Sequence, residues 1–136
     1  MRPVLIDTNA YAAFKRGDPG ILQVLQHVEK IAMSPVVLGE LLGGFANGSK
    51  EKQNRKELHQ FLESPRIIIY LMTSDTANFY SAVYSSLKKK GHPIPTNDMW
   101  IAAQTLEHGC ILCTYDKHFN QIEGLLAGNT LEALIV

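Results

Sequence analysis

Residues 96–116 read TNDMWIAAQTLEHGCILCTYD, and this stretch decides the fold. Ile101, Ala102, Thr105 and Leu106 recur at helical spacing, and Gly109 follows as a natural residue just past a helix end. Ile111-Leu112 is then a short apolar run of the kind a buried strand makes, ending at Thr114-Tyr115-Asp116. Upstream, Gly91-His92-Pro93-Ile94-Pro95-Thr96 cannot be helical, because a residue preceding proline is pushed to extended geometry. It is a loop that delivers Asn97-Asp98 to the helix. A helix feeding a buried strand is the repeating half of a βαβ fold.

The same alternation runs outward to both ends. Val4-Leu5-Ile6 reads as a strand without in-out alternation, which suggests a sheet covered on both faces, and a short helix from about Asn9 to Phe14 follows. Asp18-Pro19 supplies a cap and a first-turn proline for a helix carrying Ile21, Leu22, Leu25 and Val28. Ile31-Ala32-Met33 is a short strand, and Ser34-Pro35 opens a helix through Phe45. Ser49 is expected to cap a basic helix ending near Leu62. Ile67-Ile68-Ile69-Tyr70 gives the strongest strand signal and is expected to be buried. Ser74 or Asp75 should cap a long helix to about Lys90, and Asn97 or Thr96 the helix that follows the proline loop. The pattern predicts an α/β fold of three layers, a central parallel β-sheet flanked by helices. No repeat, low-complexity tract or linker divides it, so residues 1–136 are expected to form one domain.

Hydrophobic residues at 46% and charged residues at 19% give the balance of a soluble globular chain rather than a disordered one. The N-terminal apolar run stops after three residues, too short for a signal peptide, and no stretch approaches the ~20 residues that span a bilayer. A cytoplasmic protein with no membrane contact is expected. The two cysteines, Cys110 and Cys113, have C-x-x-C spacing but lie in a strand-like run, where residues three apart point to opposite faces. Zinc would need two more ligands, for which His108 and His118 are the nearest candidates; buried apolar thiols are the simpler reading.

Net charge is zero, which by itself counts against a nucleic-acid partner. The charges are segregated, however. Bases gather at Lys15-Arg16, along Lys50, Lys52, Arg55 and Lys56, and at Lys88-Lys89-Lys90, while several acids stand alone among apolar neighbours.

Four of those acids could share a pocket. Asp7 follows the first strand directly, at the carboxyl end where open parallel sheets bind ligands, although a strand-ending turn also uses Asp. Glu40 is the only ionisable residue between Lys30 and Lys50, and Gly43 and Gly44 leave room on its own helical face. A carboxylate in such surroundings costs several kcal/mol unless it is paired, metal-bound or turned to water. Asp98 shares a helix face with Ile101, Ala102 and Thr105, which should aim it at the sheet, though a first-turn Asp also suits a helix dipole. Asp116 ends the next strand, where it too could be a turn residue. Four carboxylates in one pocket would repel strongly without cations, and oxygen ligands select hard ions such as Mg²⁺ or Mn²⁺.

Asp7-Thr8-Asn9, Glu40 in its helix, Thr96-Asn97-Asp98-Met99-Trp100-Ile101-Ala102-Ala103 and Thr114-Tyr115-Asp116-Lys117-His118-Phe119 together resemble the PIN-domain nucleases, especially the VapC-type toxins of toxin–antitoxin pairs. The resemblance spans almost the whole chain. It implies a three-layer PIN-like fold, an Mg²⁺- or Mn²⁺-dependent endoribonuclease, and Asp7, Glu40, Asp98 and Asp116 as the metal-holding quartet. It further implies that Thr114 is a supporting hydroxyl and that Asn9 orients the first carboxylate or a metal-bound water. The implied nucleophile is water, giving 5′-phosphate and 3′-hydroxyl ends. Lys15, Arg16, Lys52, Arg55 and Lys56 would guide the RNA backbone, the last three sharing one helical face. The solvated alternative for that face pairs Glu51 with Arg55. A VapB-like antitoxin covering the acidic pocket and a homodimer formed through the helical side are implied partners.

Two other functions compete. An aspartyl phosphatase also places Asp after its first strand but wants a second acid two residues on, where this chain has Asn9. A PIN-like module kept for RNA processing or for binding alone would treat the acids as structural.

Overall fold

A computed structural model describes residues 2–135. In chain order the elements are β1 (Val4–Ile6), α1 (Thr8–Lys15), α2 (Pro19–His27), β2 (Ile31–Met33), α3 (Pro35–Ala46), α4 (Glu51–Leu62), β3 (Ile67–Ile69), α5 (Ser74–Lys90), α6 (Thr96–Glu107), β4 (Ile111–Cys113), a 3₁₀ turn over Lys117–Gln121, β5 (Ala127–Gly128) and α7 (Leu131–Leu134). The strands form one sheet in the order β3-β2-β1-β4-β5, and every pair is parallel.

That order makes β1 the middle strand. From β1 the chain steps outward to β2 and β3, then returns past β1 to β4 and β5. Right-handed crossovers in opposite directions put their helices on opposite faces, which yields three layers from the strand order alone. Every residue of β1, β2 and β4 is buried, as the lack of alternation in Val4-Leu5-Ile6 predicts. On one face Tyr11 and Phe14 of α1 pack against Phe61 of α4, with ring centroids 5.4 Å apart in both pairs. On the other, α5 and α6 lie together, and Tyr80 stacks on Trp100 at 4.1 Å. The three-layer α/β fold with a central parallel sheet expected from the sequence is the fold the chain has.

Local chemistry explains most boundaries. Asp18 and Ser34 accept hydrogen bonds from the first-turn amides of α2 and α3, each with proline just inside the helix. Gly91 ends α5 at φ 69° and Gly109 follows α6 at φ 63°, a backbone region open to glycine but strained for other residues.

Three expectations are corrected. Ser49 does not cap α4: the helix starts one residue later, with Lys50 at the N-cap and no side-chain hydrogen bond. Thr73, rather than Ser74 or Asp75, caps α5 through a reciprocal box, its hydroxyl accepting from the Thr76 amide while its own amide donates to the Thr76 hydroxyl at 3.1 Å. The isoleucine run of β3 is only partly buried, because β3 is an edge strand; Ile69 is 41% exposed. The short β5 and α7 are additions the sequence reading did not include.

Candidate active site

The register of the sheet builds the centre of the site. β1 and β4 are neighbours, with Ile6 opposite Cys113, so Asp7 and Thr114 emerge side by side at the carboxyl ends of two parallel strands. This is also where the strand order reverses direction, the position at which open α/β sheets bind ligands. The Asp7 amide donates to Cys113 O at 2.9 Å, which ties the two strand ends together.

Asp7 is buried and doubly held. One carboxylate oxygen accepts from the Thr8 amide at 2.8 Å, making Asp7 the N-cap of α1; the other accepts from the Thr114 hydroxyl at 2.7 Å. The local backbone role open to a strand-end Asp is therefore filled, here as a helix cap, but it uses only half the carboxylate. Burial raises the Asp7 pKa, the contacts to Thr114 and Thr8 oppose that rise, and the charges of Glu40 and Asp116 add to it. The Thr114 hydroxyl also accepts from the Asp116 amide at 3.0 Å, so one side chain joins the ends of β1 and β4 to the start of the next turn.

Glu40, half-buried in the middle of α3, reaches the same place. Its Oε1 accepts from the Thr8 hydroxyl at 2.6 Å and its Oε2 from the Asn97 amide group at 3.4 Å. Asn97 is thus spent on Glu40 and caps nothing. The N-cap of α6 is Pro95, without a side-chain hydrogen bond, which corrects the expectation that Asn97 or Thr96 serves there. A Cβ on Gly43 or Gly44 would meet nothing within 4 Å, so the space beside Glu40 is open.

Asp98 lies in the first turn of α6 with its side chain 13% exposed. Its carboxyl is pushed up to about 6, first by burial and then by the charges of Asp116 and Asp7, with His118 opposing and Glu40 adding to the rise. Asp116 caps the 3₁₀ turn by accepting from the His118 amide at 2.9 Å, and the His118 ring returns over the acids, Nδ1 lying 3.3 Å from Asp116 Oδ1 and 3.7 Å from Asp98 Oδ2. The charges of Glu40 and Asp116 act on both Asp7 and Asp98, and that of Asp7 acts on Asp98 as well, so the four acids share one electrostatic neighbourhood. Such a set can hold a divalent cation through oxygen.

Three contacts were not read from the sequence. Thr8 bridges to Glu40, Asn97 does the same from α6, and His118 faces two of the acids. Only His118 left a trace, as a histidine two residues beyond a turn Asp. Asn9 acts indirectly: its Oδ1 accepts from the Tyr115 amide at 3.1 Å and its Nδ2 lies 3.4 Å from the Thr114 hydroxyl, so it braces the residue that contacts Asp7.

The basic residues stand apart from the acids. Lys15 and Arg16 sit at the far end of α1, roughly 12 Å along the helix from Asp7 at 1.5 Å per residue, and Lys15 pairs with Glu57 at 3.1 Å. Arg55 pairs with Glu51 at 3.7 Å, as the solvated reading of that face supposed, while Arg55 and Lys56 border a groove lined by Leu38, Leu42, Leu58 and Leu62. Lys52 is exposed. Both cysteines are buried and free, and burial pushes their thiols up to about 11 for Cys110 and about 12 for Cys113. His108 stacks on Tyr70 at 3.7 Å and His118 belongs to the acids, so the described residues hold no Cys-His zinc set. Among them no helix is long and apolar enough to cross a membrane.

Comparison with known proteins adds the family. The PIN domain profile matches residues 4–125. Ribonuclease VapC2 of Rickettsia felis is 32% identical over 130 residues, covering 92% of this chain and 96% of the relative. Ribonuclease VapC1 of Haemophilus influenzae is 27% identical over 127 residues, covering 89% and 92%. Among solved structures, VapBC2 from Rickettsia felis bound to a DNA fragment from its promoter superposes with a TM-score of 0.83 at 26% identity, over 92% of this chain and 96% of that one.

Proposed function

We propose a function from one premise: the chain belongs to the PIN-domain family. It is a VapC-type ribonuclease, the toxin of a toxin–antitoxin pair, and residues 1–136 act as one domain. It is an endoribonuclease that hydrolyses phosphodiester bonds at Asp7, Glu40, Asp98 and Asp116. The observation that supports this reading is that Asp7, after β1, and Asp98, in α6, both have raised pKa values to which the charges of Glu40 in α3 and Asp116 beyond β4 contribute.

That donor set fits a divalent metal. The Asp98 carboxyl, pushed up to about 6, gives up its proton more readily beside a cation, and carboxylate oxygens suit Mg²⁺ or Mn²⁺. When bound, the ion supplies an activated water as nucleophile and stabilises charge on the leaving oxygen. Asp7, Glu40, Asp98 and Asp116 would hold it. Thr114 positions Asp7 by donating to the oxygen that Thr8 leaves free, and Thr8 with Asn97 fixes the rotamer of Glu40. Asn9 is bound to the β4 end and can donate no proton to a leaving group, which removes the general acid an aspartyl phosphatase would need.

RNA would approach along a surface flanked by Lys15 and Arg16 on one side and by Lys52, Arg55 and Lys56 beyond it. A polar hollow bordered by Tyr115, Lys117, Asn120 and Asn129 opens beside Asp116 and has the donors and acceptors to receive a nucleotide next to the scissile phosphate. A VapB-like antitoxin is the expected partner, with its tail over the acidic cluster, and a homodimer in the cytoplasm is the expected working form; the R. felis neighbour is itself a VapBC assembly.

The test is to map RNA 5′ ends in cells expressing the wild type or Asp98→Asn. New 5′-phosphate, 3′-hydroxyl ends should appear with the wild type alone. Ends bearing 2′,3′-cyclic phosphate would exclude a water nucleophile.

A further inference from the structure

Asp98, Asp116 and His118 form a mixed cluster in which one ligand atom from each, two carboxylate oxygens and an imidazole nitrogen, lie within 4.8 Å of one another. The nitrogen is Nδ1, 3.3 Å from Asp116 Oδ1 and 3.7 Å from Asp98 Oδ2. These separations are long for charge-assisted hydrogen bonds, which fall near 2.7–2.9 Å. Atoms sharing one ion at about 2.1 Å, by contrast, lie roughly 3.0 Å apart when adjacent and about 4.2 Å apart when opposite.

The main chain sets this placement. Asp116 caps the 3₁₀ turn that begins at Lys117, and its Oδ1 takes the His118 amide at 2.9 Å, which curls residue 118 back over the acid two positions earlier. The ring itself is 57% exposed, so no packing requirement explains an imidazole here. Phe119, the next residue, is fully buried and anchors the turn.

We infer that His118 is a nitrogen ligand of the metal site, completing a set with Asp98 and Asp116 that favours Mn²⁺ over Mg²⁺. The inference rests on the ribonuclease reading above and adds to its acidic quartet a residue outside it. Mg²⁺ demands oxygen and sheds water reluctantly, whereas transition ions accept imidazole. A nitrogen donor therefore strengthens one metal and does little for the other.

The experiment uses the full chain loaded with MnCl₂ and reads electron spin-echo envelope modulation. The wild type should show the modulation of a directly coordinated imidazole ¹⁴N, and His118→Asn, which offers oxygen near the place of Nδ1, should lose it. In titrations followed by the signal of free Mn²⁺, with Mg²⁺ as competitor, the variant should bind Mn²⁺ roughly tenfold more weakly and Mg²⁺ within about threefold of wild type. Bound Mn²⁺ without ¹⁴N modulation in the wild type, or equal losses for both ions in the variant, would overturn the inference and leave the acidic metal site standing. Failure of the wild type to bind Mn²⁺ at all would overturn both. The wild-type spectrum decides the matter even if the variant folds poorly.

Discussion

Changing Asp98 to Asn removes one negative charge from the cluster while keeping the shape of the side chain, and it should make the metal-free protein more stable. The Asp98 carboxyl stands at about 6 against an ordinary 3.8. The folded chain therefore holds this proton more tightly than the unfolded chain, and stability falls as pH rises from about 4 through about 6, then levels. At 1.36 kcal/mol per pH unit the full difference is roughly 3 kcal/mol above that range. Solvent at the rim of the cluster reduces it, and so does the favourable place of a first-turn Asp at the start of α6, worth about 0.3–1 kcal/mol. The lost contact to His118 counts for little, since that ring is mostly exposed. A gain of about 1–2 kcal/mol near pH 8, shrinking toward zero near pH 5, remains.

Urea denaturation in EDTA at both pH values measures this, read by the fluorescence of Trp100, the only tryptophan, which stacks on Tyr80. Adding millimolar MnCl₂ should reverse the order, because an ion that binds only the folded chain stabilises the wild type more than a variant with one ligand fewer. If Asp98→Asn is less stable than wild type near pH 8 without metal, or differs from it equally at both pH values, burial of the Asp98 carboxyl and repulsion from its acidic neighbours do not raise it.

Three further outcomes follow from the same geometry. Thr114→Val deletes the hydroxyl between Asp7 and the Asp116 amide and should cost about 1.5–3 kcal/mol in urea titration; because Asp7 then loses a contact that lowers its pKa, the cost should be larger near pH 8 than near pH 5, and an unchanged midpoint would refute the role. Phe61→Ala empties the contact between α4 and α1 and should destabilise the chain by about 2–4 kcal/mol, with a matching drop in thermal midpoint. Cys110 and Cys113, buried and with thiols held at about 11 and about 12, should resist iodoacetamide in native buffer and react fully in urea; fast native labelling would contradict the packed β4 environment.

The parts of the site that could be read from the sequence are those fixed by near neighbours. Asp7 was legible because an apolar triplet followed directly by Asp marks a strand end, Asp116 because it stands three residues past the next apolar run, and Asp98 because a proline loop followed by helical spacing marks a helix start. What joins them was not legible, since Thr8 meets Glu40 across 32 positions and Asn97 meets it across 57. Asn97 shows the conflict directly: local propensity offers it as a cap, and a tertiary partner claims its side chain. The exposure of β3 failed for a related reason. Three isoleucines announce a strand, but whether that strand lies inside or at the edge depends on the order of all five.

Sheet register is where local and distant information meet. The pairing of Ile6 with Cys113 sets Thr114 beside Asp7, and a slip of one residue would turn the Thr114 side chain to the opposite face. The apolar triplets Val4-Leu5-Ile6 and Ile111-Leu112-Cys113 are buried on both faces, so alternation of polar and apolar residues cannot select the register as it would in a half-exposed sheet. Polar groups at the strand ends can. The Asp7 amide finds Cys113 O, the Asp7 carboxylate finds the Thr114 hydroxyl, and the Tyr115 amide finds Asn9, three contacts that a slipped pairing would break together. The residues that assemble the acidic cluster thus also specify how β1 and β4 align, which ties the chemistry of the site to the folding of the sheet beneath it.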